Sequence, residues 1–472
     1  MEFVDRTAEM ACLDALVASR QGGLGVVWGR RRVGKTRLLV EWCRKHRGLY
    51  TVADQSAAVI QRHYLAESVA SVLPGFHEVQ YPDWGSLLSR LAREAVTRDW
   101  HGPVVLDEFP YLAVTSPELP SVLQRWLDHE AIPAGVAVVL AGSSQRMMQG
   151  LVLDGAAPLY GRARVTMALQ PVGAGYIQEA LDLSDARQAV EAYTAWGGTP
   201  WFWELAAPHG PAVETAIERC VLDPMSPLHS EPDRFLAEEM PPALSLRPIL
   251  DAIGMGAHRG SEIAARMGCA STSLSRALVR LQALGLVDRE LPFGDSEMSG
   301  KRALYRIADP FFRLWFRVVA SHRAWLVAAP PQGRVELWRQ ARPALTAETW
   351  EELCRACIAK LTPDLHPLAK LGPWTPARRF WHGSGPEWDV VSRSLDGQRL
   401  LLGEVKWLAQ PASADTISAV AAELTRKGRP ATAAARQAQL VNAVFVPDVE
   451  PNAVIPPNLH VLDAKSVLAA LR

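Results

Sequence analysis

The 472-residue chain has no charge excess: 50 basic residues stand against 50 acidic ones, so bulk electrostatics selects no partner. It is also poor in cysteine. Its six thiols (Cys12, Cys43, Cys220, Cys269, Cys354 and Cys357) are scattered, and only the last two are close in sequence. No second pair completes a zinc site, and the pattern is that of reduced thiols in a cytosolic protein. No apolar run is long enough to span a bilayer, and no apolar signal region opens the chain. The expectation is a cytoplasmic protein without a membrane partner. Such a length exceeds what one hydrophobic core supports and implies roughly three domains. The neutral total hides one asymmetry: residues 247–342 hold 15 Lys/Arg against 8 Asp/Glu, a weak pointer to nucleic acid.

One stretch organises what is present. Gly29-Arg30-Arg31-Arg32-Val33-Gly34-Lys35-Thr36 fits the phosphate-loop pattern G-x-x-x-x-G-K-[ST]. The apolar run Leu24-Gly25-Val26-Val27-Trp28 before it predicts a buried strand, and Arg37-Leu38-Leu39-Val40-Glu41-Trp42 after it predicts a helix. In that context, backbone N–H groups at a helix start cradle phosphates, aided by the helix dipole. Residues Gly29 through Lys35, Thr36 and Arg37 are the candidate nucleotide contacts. Lys35 would reach the β- and γ-phosphates, and the Thr36 hydroxyl would bind Mg²⁺. No Asn-Lys-x-Asp guanine signature appears, which favours ATP over GTP.

Pro103-Val104-Val105-Leu106-Asp107-Glu108 is an apolar strand ending in two acids. Acids at a strand's carboxyl end lie in the crevice where open α/β sheets bind ligands. Asp107 would hold Mg²⁺; Glu108 would orient and deprotonate the attacking water. A further strand, Val136 to Ala141, leads into Gly142-Ser143-Ser144-Gln145. Ser143 would sit between the two motifs and sense the γ-phosphate, or else cap a helix. Arg162, before a fifth strand from Ala163 to Leu169, is a candidate charge-stabilising arginine, in cis or toward a neighbouring subunit, or an ordinary ion pair.

Phe3-Val4-Asp5-Arg6, the phosphate loop, Leu106 to Tyr111, Gly142-Ser143-Ser144 and Leu159-Tyr160-Gly161-Arg162 resemble the archaeal-type P-loop ATPase family, related to the AAA+ and STAND classes. That family usually has Gly where this chain has Asp5. The resemblance implies a parallel five-stranded sheet with the acidic and phosphate-binding strands adjacent, and a helical lid marked here by Trp196-Gly197-Gly198-Thr199-Pro200. A Pro-rich stretch from Leu222 to Leu244 reads as a linker.

Helical patterns at 247–255 and 262–268 precede Ser271-Thr272-Ser273, which would cap a helix with Leu274, Leu278, Leu281 and Leu284 inward. Strands at 285–287 and 301–307 follow, completing a winged helix-turn-helix pattern. Ser271, Ser273, Arg276 and Arg280, with Lys301 and Arg302 on the wing, are the candidate DNA contacts. Protein contact is the alternative use of such a module.

In the resembling family, a segment like Ala308 to Phe316 joins the winged helix to a PD-(D/E)XK nuclease-like domain. Here Trp350-Glu351-Glu352-Leu353 would start a helix, Glu387 to Val391 a strand, and Leu400 to Trp407 its partner. Asp389 and Glu404 from adjacent strands would share one Mg²⁺ that polarises a phosphodiester and activates water. Strand alternation puts Lys406 on the same face as Glu404, and Glu351 would add an outer carboxylate. The Pro usual before the Asp is replaced by Glu387-Trp388.

The expected fold is α/β: a P-loop ATPase core (1–170), a helical lid and linker (171–244), a winged helix with connector (245–342) and the nuclease-like domain (343–472). The function read from it is an ATP-hydrolysing switch acting on DNA, with a homo-oligomer or protein partner as a further option. The alternatives are a STAND-like regulatory NTPase whose last domain is an inactive scaffold, and an ATP-gated DNA-binding regulator without cleavage.

Overall fold

A computed structural model describes residues 4–18, 20–239, 246–298, 300, 302–432 and 435–472. Phe3, Lys301 and the 240–244 end of the expected linker lie outside the described residues. The chain divides into two compact units: one runs to Pro171 and includes Thr199–Trp201, the other comprises Val172–Gly198 and Phe202–Arg472.

The first unit is built on β1 (Gly23–Trp28), β2 (Leu49–Val52), β3 (Val104–Asp107), β4 (Ala137–Gly142) and β5 (Ala163–Ala168). All pairings are parallel, in the order β2-β3-β4-β1-β5. Successive side chains of a strand point to opposite faces, so uninterrupted apolar runs feed two cores. Leu24, Val26, Leu106, Val138 and Leu140 enter one with Leu65 and Leu87 of helices Ala58–Ala70 and Trp84–Thr97. Val27, Val105 and Val139 enter the other with Leu38 and Trp42 of helix Lys35–His46 and Leu13 of helix Thr7–Ala18.

The acidic strand and the phosphate-loop strand are not neighbours. β4 lies between them, pairing Val138 with Val104 on one edge and with Leu24 on the other. Its residues, Ala-Val-Val-Leu-Ala-Gly, carry no polar side chain and are all buried, so this strand gains most from a central place covered on both faces.

The second unit opens with helices, among them Ala186–Trp196, whose N-cap Asp185 accepts from the Gln188 N–H. The stretch expected as linker contains a helix, Glu231–Glu239, that buries Phe235 and Leu236. Pro232 stands in its first turn, where a missing N–H leaves no hydrogen bond unmade. Helices Arg247–Gly254, Gly260–Met267 and Ser275–Ala283 precede an antiparallel hairpin of β6 (Val287–Glu290) and β7 (Leu304–Ile307).

A helix of 27 residues, Pro331–Cys357, follows. Trp350 therefore does not start a helix, and the expected boundary at 342/343 falls inside one. Pro343 stands inside it: an interior proline costs about 3 kcal/mol, but burial of Trp338, Leu345, Trp350 and Leu353 carries the helix through it. Beyond lies a mixed sheet of β8 (Arg378–Phe380), β9 (Trp388–Arg393), β10 (Arg399–Val405), β11 (Gln439–Phe445) and β12 (Leu459–Leu462), ordered β12-β11-β10-β9-β8. β10 runs antiparallel to β9 and parallel to β11, the crossover being helix Ala414–Lys427. Gly403 is required in β10, since a Cβ there would meet the Phe445 ring at 2.7 Å and Val390 at 2.9 Å.

Arg313 joins these parts. It is buried, donates to the Ile307 carbonyl at the end of β7, and grips both Glu352 carboxylate oxygens at 2.7 Å on the long helix. Burial opposes its charge, but Glu352 and Glu348 outweigh that and hold its pKa up. Arg313→Met would strip Glu352 of its cation and leave Glu348 with only Arg306 and Arg317, at 3.8 and 3.9 Å, and should lower unfolding free energy by about 3 kcal/mol. Denaturant unfolding measures it, and replacing Glu348 and Glu352 by Gln in the same chain should recover part of the loss.

Candidate nucleotide site and a second acidic site

The phosphate loop leaves β1 at Gly29, whose φ of 154° brings its α-carbon against β5's neighbour: a Cβ there would lie 2.6 Å from the Leu169 carbonyl oxygen. Gly34 closes the loop at φ 99°, as N-cap of helix Lys35–His46. Lys35 is buried, and its ammonium donates to the Gly29 and Arg30 carbonyls at 2.7 and 3.0 Å. Arg6, also buried, donates to the Val33 carbonyl and the Gln170 carbonyl, both at 2.8 Å. Arg32 lays its guanidinium 3.7 Å from the ring centre of Trp201. Val33 is buried, whereas Arg37 is exposed and pairs with Glu41 of its own helix.

Asp107 is buried at the end of β3 and accepts from the Thr36 hydroxyl (3.1 Å) and the Tyr50 hydroxyl (2.5 Å). Burial and the Asp107 charge push the Tyr50 phenol far up, so it stays a neutral donor. Glu108 takes a left-handed backbone conformation (φ 52°) at the N-cap of helix Phe109–Thr115. Its carboxylate is held by the Ser143 hydroxyl at 2.8 and 2.9 Å and by the Ser143 N–H. Central β4 thus delivers Ser143 to Glu108, while the adjacent Ser144 supplies the helix-capping bond to Met147. Arg162 is engaged by Asp128 at 3.0 Å, the ion-pair alternative for that residue.

The donor set fits the groups it is expected to bind. An ammonium, a hydroxyl and the N-terminus of a helix behind a glycine-gated loop suit a phosphate chain. The Thr36 hydroxyl and Asp107 carboxylate suit a hard divalent cation that shares its shell with phosphate oxygens. Tyr50 and Trp201 carry no motif signal. Arg6 lies in the Phe3 to Arg6 stretch that prompted the family resemblance, and Tyr50 lies in an ordinary strand pattern.

In the second unit the β9–β10 hairpin brings Asp389 and Glu404 together. Asp389 accepts from the Val405 N–H at 2.9 Å. Burial, then the Glu404 and Glu351 charges, raise its pKa to about 6. Glu404 is buried and its two oxygens take the Lys406 ammonium at 2.9 Å and the Lys427 ammonium at 2.5 Å. Burial disfavours the Lys406 charge, but Glu404 beside it outweighs this and raises its pKa. Glu351 pairs with Arg355, which also donates to the Asp389 carbonyl. Two carboxylates suit a hard cation completed by substrate oxygens. Among the described residues, no three His, Cys, Asp or Glu side chains form a metal cage of their own. Lys427 gave no warning in sequence: with Glu423 it looks like an ordinary i,i+4 helix pair.

The candidate DNA contacts separate. Ser271, Ser273 and Arg276 are exposed and Arg280 half-buried, and among the described residues no acid pairs with either arginine. The Ser273 hydroxyl bonds its own turn at Ala270. Arg302 pairs with Asp295 and meets His382 at 2.9 Å, so it faces the end of β8.

Asp389 binds its proton more tightly folded, at about 6, than at the ordinary 3.8, so its ionisation lowers stability as pH rises through that window. Without divalent cations, Asp389→Asn should therefore stabilise the chain at neutral pH by about 2–3 kcal/mol. Urea unfolding should show that gain vanish below about pH 4. In the first unit, Arg6→Met strips two loop-side carbonyls of their donor and should cost about 1–3 kcal/mol of stability. It should also weaken nucleotide binding, read by calorimetry.

Residues 315–417, which include the long helix and β8 to β10, match a family described as archaeal and bacterial proteins of unknown function (DUF234). The chain is 26% identical to the uncharacterised protein MJECL04 of Methanocaldococcus jannaschii over 412 residues, 86% of this chain and 87% of that protein. The solved Walker-type ATPase PABY2304 of Pyrococcus abyssi aligns with a TM-score of 0.52 at 18% identity, covering 67% of this chain and 96% of its own. With the β2-β3-β4-β1-β5 sheet and its phosphate loop, that likeness shows that the chain carries a Walker-type P-loop ATPase fold.

Proposed function

We propose that the chain binds and hydrolyses ATP at the phosphate loop, and that its second unit acts on DNA through helix Ser275–Ala283 and the Asp389–Glu404–Lys406 site. The observation that carries the first part is the contact set Lys35–Thr36–Asp107–Glu108–Ser143. Lys35 exchanges its loop carbonyls for β- and γ-phosphate oxygens. Glu108, oriented by Ser143, takes a proton from the attacking water. Thr36 and Asp107 would hold Mg²⁺, which neutralises charge on the phosphates when bound. The neutral Tyr50 donor fixes the Asp107 carboxylate.

In the second unit, Asp389 and Glu404 would hold a divalent cation, which when bound polarises a phosphodiester. Lys406 would stand beside the water or scissile phosphate. The three helices and the hairpin are read as a winged helix, with Ser271, Ser273, Arg276 and Arg280 toward DNA. The regulatory reading, with a non-cleaving last domain and a protein-binding winged helix, draws support from one observation: Arg302 of the wing is engaged by Asp295 and His382.

Plasmid cleavage with Mg²⁺ or Mn²⁺, with and without ATP, separates the two. Loss in Lys406→Ala and alteration in Lys35→Ala support the ATP-controlled nuclease. No cleavage beside intact ATP turnover supports the switch. Lys35→Ala should lower ATP hydrolysis by about a hundredfold or more. Glu108→Gln should retain ATP binding while turnover falls by about a hundredfold to ten-thousandfold.

A further inference from the structure

Two ammonium groups meet one buried carboxylate in the second unit. The Glu404 side chain is 4% exposed; Lys406 and Lys427 cap its two oxygens and are 36% and 17% exposed. Glu423 stands 3.9 Å from the first ammonium and 3.7 Å from the second. The lysines arrive differently. Lys406 follows Glu404 two residues on along the same chain. Lys427 comes from the last turn of helix Ala414–Lys427, just before Gly428 at φ 69°.

A divalent cation between Asp389 and Glu404 would bind the same carboxylate oxygens that the ammonium groups hold. Positive charges at contact distance repel where water is scarce, so a cation there weakens the hold of the ammonium groups on Glu404. A lysine's four-carbon stem lets its charge move without backbone change. The phosphodiester oxygens of a bound nucleic acid are the anions that such a freed cation would meet in this site.

We propose that Lys427 is the phosphate-positioning lysine of this site, parked on Glu404 until a divalent cation claims that carboxylate. The inference rests on the metal-assisted phosphodiester reading given above. It assigns Lys427 no chemical step: the residue holds a substrate phosphate against the cation-bearing carboxylates, from a different element than Lys406.

The test uses the full chain without nucleotide. Calorimetric titration with Mn²⁺ should give about tenfold tighter binding for Lys427→Met than for wild type, because a competitor for Glu404 is gone. Lys427→Arg, which keeps the charge, should stay near wild type and also controls for folding. In a second measurement, Ca²⁺ should raise wild-type affinity for a DNA duplex, and Lys427→Met should lose that Ca²⁺-dependent increment. Unchanged or weaker Mn²⁺ binding in Lys427→Met overturns the parking. Tighter Mn²⁺ binding with a full Ca²⁺-dependent increment overturns the phosphate role. If Asp389→Asn leaves wild-type Mn²⁺ binding intact, the acids hold no cation, and the underlying reading fails together with this inference.

Discussion

A buried guanidinium decides how the phosphate loop stands. Arg6 lies before the first helix, yet it reaches forward to the Val33 carbonyl inside the loop and to Gln170 after β5. It thereby clamps the loop from behind to the far edge of the sheet. Glu9, 2.8 Å away, balances its charge. The clamp needs unusual backbone: Asp5 and Arg6 both sit at positive φ, 65° and 76°. Such conformations persist only where surrounding contacts over-determine them. The left-handed φ at Asp5 also gives a physical reason for the glycine that resembling proteins carry there, since glycine adopts it at no steric cost.

The two acidic sites solve the same problem in opposite ways. At the phosphate loop, neutral hydroxyls hold the acids: Tyr50 and Thr36 on Asp107, Ser143 on Glu108. Neutral donors fix a carboxylate's direction while leaving its charge available to an incoming cation or water. In the mixed sheet, cations hold Glu404, and burial leaves Asp389 with a raised pKa. That second cluster is close to self-neutralising, as buried charges must be unless something else compensates them.

The sequence was legible where the physics is local. Uninterrupted apolar runs announced β1, β3 and β4, and the glycine and lysine spacing announced the loop between strand and helix. The order of the strands was not legible, because periodicity says which face a residue takes and nothing about which strand lies alongside. Hence β4's position between β1 and β3 comes only with the fold, although the sequence predicts Ser143 between the two motifs. Long-range partners are hidden for the same reason: Tyr50 and Lys427 act across many residues and sit in unremarkable local patterns, and the motif that contains Arg6 does not say what it grips. Proline misled in the expected linker, where the first-turn position of Pro232 absorbs what reads as a break.

The loop between β6 and β7 has a consequence for the mixed sheet. Phe293 donates its backbone N–H to the Arg379 carbonyl of edge strand β8 at 2.7 Å, and it packs, half-buried, against the core cluster that holds Phe380, Trp388 and Leu402. An edge strand is a template for pairing with another chain. Here it is occupied in part by the chain's own hairpin, with a phenyl ring as anchor. The hairpin is thus a plug, and the mixed sheet is incomplete without it. A fragment cut at the start of the sheet would lose part of its core and bare a sticky border, so hairpin and sheet form one unit of solubility despite the long helix between them in sequence.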